Sequence, residues 1–258
     1  MRPFDLQKRP LVLLYPNQNL RFLYFKPSLP SSTFHFPSTS LFCLIRMASF
    51  IIRAILAGSA GNDVNLIIGD QVLFSIGFFG LLYSAYTLVL DRELVSDYTP
   101  SAGIVSRIIR RRRLYRLTLL VAVVIGSVGI SEANTNDPSA VSVGQGLHQA
   151  STIIFLVLVV LLAYQTLILA KAELRGGGYK HAKGSFGAKF GIYVLLVIAL
   201  LLVVREVFAV ATTNDLATAN KEHFWYPFVA LPEILAVMLY SIPDLVPMRS
   251  ELPKSRFC

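Results

Sequence analysis

Residues 191–204 read Gly191-Ile192-Tyr193-Val194-Leu195-Leu196-Val197-Ile198-Ala199-Leu200-Leu201-Leu202-Val203-Val204 without one charge, and the chain continues Arg205-Glu206-Val207-Phe208. A run this long and this uniformly apolar reads as a helix in lipid, not as a strand. Two adjacent opposite charges inside such a span are costly. On insertion scales a central Arg or Asp costs about 2.5–3.5 kcal/mol, while each Leu, Ile, Val or Phe favours insertion by about 0.3–0.6 kcal/mol. The stretch from Gly191 to Val204 favours insertion by roughly 6 kcal/mol on that scale. That carries the charge pair with little margin, so Arg205 and Glu206 call for a partner or a role.

The rest of the chain has the same character. Its mean hydropathy is +0.60. Only 15% of its 258 residues are charged, against about 25% in a soluble domain. The expected fold class is all-α: a polytopic transmembrane helix bundle with five strong spans and one weak N-terminal span. The strong spans are 71–90, 114–131, 148–170, 190–211 and 224–242. The weak one, Leu41 to Ala60, carries Arg46 and Arg53. The transmembrane domain is expected over 47–247, followed by a short tail, 248–258. Residues 1–46 read as a disordered or artefactual leader, with prolines at 3, 10, 16, 27, 30 and 37 and an ordinary start at Met47.

Charge sets the expected orientation. Arg92, Arg107 and Arg110–Arg113 lie between the first two strong spans. Lys171, Arg175, Lys180, Lys183 and Lys189 lie between the third and fourth, and Arg249, Lys254 and Arg256 in the tail. The stretch from Glu132 to Leu147 has no Lys or Arg, and the next outer connection has only Lys221. By the positive-inside rule the basic connections and the C-terminus face the cytoplasm. The net charge of +9 is therefore read as topogenic and lipid-facing. No stacking platform accompanies it, so nucleic acid is excluded as a partner. Membrane lipids are the expected partners, with a small amphiphilic ligand; nothing names a cytoplasmic one. Cys43 and Cys258 form neither a disulfide framework nor a metal spacing.

Depth then sorts the ionisable residues. Arg205, Glu206, Glu233, Arg53, Asp70, Glu132 and His148 fall in the outer half, and the inner halves read as nearly free of charge. Arg205 is expected to pair with Glu233, and Glu206 with Arg53. At helical spacing Tyr226, Glu233 and Tyr240 share a face. Pro232 cannot donate its backbone hydrogen bond, frees the Phe228 carbonyl and bends the last helix. The candidate ligand-binding or helix-locking set is Arg205, Glu206, Glu233, Arg53, Glu132, His148 and Tyr226.

Arg205-Glu206-Val207-Phe208, the stretch Phe224-Trp225-Tyr226-Pro227-Phe228-Val229-Ala230-Leu231-Pro232-Glu233-Ile234-Leu235-Ala236-Val237, and Pro243 and Pro247 together resemble an uncharacterised fungal family of seven-helix integral membrane proteins, a domain of unknown function. The resemblance runs from about Phe50 to Pro247. It implies a further first helix with no counterpart here. More distantly the arrangement is similar to the lipid-translocating exporter family, which implies a role in moving lipid or amphiphile.

Three functions stand at this point. One is binding or translocating an amphiphile through the outer polar cluster. Another is a seven-helix receptor or sensor. The third is a metal-dependent membrane hydrolase, which needs several histidine ligands; of His35, His148, His181 and His223 only two are expected on the outer side. The chain is not read as an enzyme, and it shows no nucleotide-binding loop and no cofactor motif.

Overall fold

A computed structural model describes residues 35–58, 63–95, 111–135, 137–175, 186–213, 215, 222–242 and 245. All belong to one unit, Ser31–Cys258. The described residues form six helices and no strand: α1 (His35–Ala57), α2 (Val64–Val95), α3 (Arg112–Ala133), α4 (Pro138–Arg175), α5 (Phe186–Thr212) and α6. The last has three consecutive stretches, an α-turn Glu222–Trp225, a π-helical stretch Tyr226–Ala230 and an α-helical stretch Leu231–Tyr240. Helices α2 to α6 are long and apolar enough to cross a membrane; α1 is not among them.

Successive helices run antiparallel. Asp70 near the start of α2 meets Ser49 and Arg53 late in α1, and Tyr86 late in α2 stacks on Tyr115 early in α3. One end of the bundle holds the tight α3–α4 hairpin and is here called the hairpin end. The other, where Leu245 lies against Arg92, is the tail end. Helix α2 is central and packs against α1, α3, α4 and α5. Its buried face, Phe78, Leu81, Leu82, Ala85, Tyr86 and Val89, forms the core with Leu119, Val159, Leu162, Leu195, Ile198 and Leu202.

The polarity is inverted relative to a protein in water. Along α4 the exposed stripe is Ile153, Val157, Val160, Tyr164 and Leu167, while Ser151, Thr152, Gln165, Thr166 and Glu173 are buried. On α3 the exposed stripe is Leu117, Leu120, Val121, Val124 and Val128. Water would penalise apolar faces this continuous; lipid removes that penalty. With five spans beneath it, this surface makes the chain an integral multi-pass membrane protein.

Close backbone contact sets the α3–α4 pair. A Cβ on Gly144 would sit 2.3 Å from the Ala133 nitrogen, and one on Gly129 would sit 2.6 Å from the His148 nitrogen. Small residues let helices approach this closely in lipid, and Ser151 Oγ then donates across the gap to the Ala122 carbonyl at 2.7 Å.

Two expectations change here. Residues 35–46, assigned to the leader, belong to α1. Pro37 lies in the first turn, where a helix has no use for its missing N–H, and the apolar run continues through Met47. The rest of the expected leader, and the tail 248–258, lie outside the described residues. The expected bend at Pro232 takes the form of a π-helical stretch. The Leu231 N–H bonds to the Tyr226 carbonyl five residues back, and Pro232 falls in the first turn of the stretch that follows.

Candidate functional site

Three helices meet through one carboxylate. Glu233, from α6, accepts from Arg205 Nε of α5 at 3.2 Å through Oε1 and is ion-paired through Oε2 with Arg46 Nη2 of α1. Arg205 Nη1 also binds Oε2 of its neighbour Glu206. All four residues are buried, Glu206 at 1% exposure. The expected Arg205–Glu233 pair is present.

Aromatic rings cover what the carboxylates leave. The Arg46 guanidinium lies 4.1 Å from the centre of the Phe74 ring. Arg205 lies 5.0 Å from the same ring and 3.8 Å from Phe78. A desolvated cation over a ring face gains about 2 kcal/mol. It is a partial substitute for hydrogen bonds, because none of the three Arg46 guanidinium nitrogens makes an aligned one despite the ion pair with Glu233.

Beside this bridge, at the hairpin end, lies a cavity of about 120 Å³. Arg205 and Glu206 line it together with Arg53, His148, Trp225 and Phe208, and Ser151, Thr152 and Thr212 add hydroxyls. Arg53 lies 4.0 Å above the Trp225 ring. Its Nε binds Asp70 Oδ2 at 3.1 Å, and Asp70 Oδ1 accepts from Ser49 Oγ at 2.5 Å. The His148 Nδ1 atom is buried without a partner.

The expected Glu206–Arg53 pair is therefore wrong in its partners: Glu206 binds Arg205 and Arg53 binds Asp70. Both still face one cavity. Tyr226 must also leave the set. It is 56% exposed, whereas Trp225 is 7% exposed and lines the cavity. The cause is the π-helical stretch. Its wider turn uses more residues per revolution, so the seven-residue spacing to Glu233 no longer keeps Tyr226 on the inward face. Glu132, at the end of α3, is outside the cavity lining.

A second charged cluster was not expected. At the tail end Arg92 is 1% exposed and holds Glu173 with two hydrogen bonds, Nε to Oε1 at 2.8 Å and Nη2 to Oε2 at 3.0 Å. Its Nη1 donates to the Leu245 carbonyl at 3.3 Å. Gln165 Nε2 donates to Glu93 Oε2 at 3.0 Å, and Arg112 pairs with Asp91 at 2.5 Å. Asp91, Arg92, Glu93 and Glu173 lie beyond Leu90 and Ala170, where the expected spans end; α2 and α4 continue past those residues to Val95 and Arg175 and take these side chains inside. Among the described residues no three His, Cys, Asp or Glu side chains come together as metal ligands.

The family model described as a domain of unknown function (DUF7702) matches residues 30–176, more than half of the chain. The chain belongs to the DUF7702 family. No curated protein and no solved structure matches it. The DUF7702 match spans α1 to α4 and so includes Arg46, Arg53, Asp70, His148, Arg92 and Glu173. Arg205, Glu206 and Glu233, which carried the resemblance drawn from the sequence, lie beyond it. In this DUF7702 chain the tail-end charges all lie on matched helices, whereas the hairpin-end cluster joins matched helices to α5 and α6.

Arg46 is the residue the sequence reading missed at the site. The signal was present: Arg46, Ser49 and Arg53 are spaced three and four apart, which puts them on one helical face.

Proposed function

We propose that this DUF7702 protein binds the polar head of a membrane amphiphile in the hairpin-end cavity. The observation that carries the reading is the lining itself. Buried charges, Arg205 and Glu206, share it with Arg53, an unpartnered His148 nitrogen and the rings of Trp225, Phe208 and Phe78. Sites for small ligands combine apolar walls with a few convergent polar groups in this way. Intramembrane ionisable residues facing a cavity mark ligand pathways by default.

Locking and binding fall on different residues in this reading. Glu233 is outside the lining and ties α1, α5 and α6 together; Arg53, Glu206 and His148 face the ligand. The positive-inside rule puts the tail end on the cytoplasmic side, which places the cavity in the outer half of the membrane. An amphiphile bound there can be passed on, so translocation is the activity to assay once binding is established.

A cavity-filling variant tests the reading. Ala209, on the lining, is replaced by Phe, and lipid carried through purification is measured by native mass spectrometry. Wild-type protein retains a bound lipid, and Ala209→Phe loses it with an unchanged melting temperature. Stoichiometric lipid on both proteins would sink the proposal.

A further inference from the structure

Charge around the cavity is balanced. Arg46, Arg53 and Arg205 are matched in number by Asp70, Glu206 and Glu233, in two separate sets of ion pairs: Arg46–Glu233–Arg205–Glu206 and Arg53–Asp70. Adding a net charge to such a site in a low dielectric is costly, because nothing nearby compensates it. A head with two opposite charges avoids that cost if each charge finds its complement. The walls offer both. Arg53 uses only Nε on Asp70 and is 26% exposed, so its terminal nitrogens are open to an acceptor. Glu206 uses Oε2 on Arg205, which leaves Oε1, and the rings of Phe208 and Trp225 stand on the same lining. A carboxylate beside aromatic faces suits an ammonium, and a guanidinium edge suits a phosphate.

Resting on the amphiphile reading, we infer that the cavity selects a zwitterionic head, a phosphate joined to an ammonium, over a head carrying charge of one sign. Arg53 takes the phosphate, and Glu206 with the aromatic faces takes the ammonium. Both are specificity residues in this assignment; the Arg46–Glu233–Arg205 bridge ties together α1 and α5, the helices that carry them.

The chain has one tryptophan, Trp225, and it lines the cavity, so tryptophan fluorescence, excited beyond the tyrosine absorption band, reports on this site alone. Full-length protein in dodecyl maltoside is titrated with dihexanoyl phosphatidylethanolamine, dihexanoyl phosphatidylglycerol, a dihexanoyl trimethylammonium lipid and free phosphoethanolamine. The expected result is saturable binding of the zwitterionic lipid, at least about tenfold tighter than either singly charged lipid. Glu206→Gln leaves the cavity with one excess positive charge and shifts the preference to phosphatidylglycerol. Arg53→Gln does the reverse and shifts it to the cationic lipid. Arg53 is partly exposed, so its variant carries the test if Glu206→Gln does not fold.

Equal affinities for all three lipids, unchanged in Arg53→Gln, would overturn the inference and leave the amphiphile reading standing. No fluorescence response to any lipid would overturn both. Free phosphoethanolamine binding as tightly as the lipid would keep the head class and overturn the lipid as its source.

Discussion

The two buried clusters use the same residue types and end differently. At the tail end Arg92 is spent: Nε and Nη2 on both oxygens of Glu173, Nη1 on the Leu245 carbonyl. Even the space around it is reserved, since a Cβ on Gly191 would sit 2.4 Å from Nη1. At the hairpin end Arg46 has an ion pair and a ring face but no aligned hydrogen bond, and His148 Nδ1 has no partner. Bidentate geometry that uses both carboxylate oxygens is structural cement. Polar atoms left over beside a cavity are what a ligand completes. Ion pairing by itself does not separate the two roles, and neither does saturation alone, since Gln165 Oε1 is also unpartnered at the tail end; an unpartnered atom on a cavity lining, His148 Nδ1, does.

The comparison breaks most directly at Arg92. Arg92→Ala leaves Glu173 buried and unpaired and should cost about 3–5 kcal/mol, read as a fall in melting temperature in detergent. A loss under about 1 kcal/mol, the scale of an exposed pair, would mean that the tail-end cluster is not the cement described. Next comes the bridge. Arg205→Ala and Glu233→Ala together should cost less than the sum of the two single changes, with a coupling of about 0.5–3 kcal/mol. Additive losses would dissolve the bridge into independent charges. Gly144→Ala forces a Cβ against the Ala133 backbone and should cost about 1–3 kcal/mol as overpacking. No loss there would show that α3 and α4 separate freely.

Much of this architecture is legible in the sequence because lipid enforces it. The stretches 71–90, 114–131, 148–170, 190–211 and 224–242 all fall within α2 to α6 or run two residues past the last helix, as uninterrupted apolar runs must when no water is present to hydrate a backbone. The Arg205–Glu233 pair was legible for the same reason: a charge in lipid needs a countercharge. What was lost follows from stopping at charges. Ending the first strong span at Leu90 turned Asp91-Arg92-Glu93 into loop residues, and ending the third at Ala170 hid Glu173. Tyr226 was misplaced by assuming an α-helical period across a stretch that is π-helical. Arg46 was noted on the weak span but left out of the candidate set, although its spacing to Ser49 and Arg53 already marked a polar face.

The smallest effect concerns a carboxylate outside the spans. Asp137 precedes α4, and its Oδ1 accepts from the Ser139 N–H at 3.0 Å and the Ser139 hydroxyl at 2.8 Å. These bonds favour the ionised form and hold its carboxyl below the ordinary 3.8. A lowered folded-state value means the stabilisation is present above 3.8 and is lost as pH falls through the lowered value. Melting temperatures of wild type and Asp137→Asn should therefore differ slightly at about pH 6 and converge as the pH falls below the lowered value. The acid response also tests the comparison. The tail-end carboxylates are buried, whereas Glu206 borders the cavity. If Asp137→Asn removes the acid sensitivity, that sensitivity belongs to the start of α4 alone. A sensitivity that persists in Asp137→Asn and disappears in Glu206→Gln would show that the hairpin-end cavity admits water and that its charges are within reach of a polar ligand.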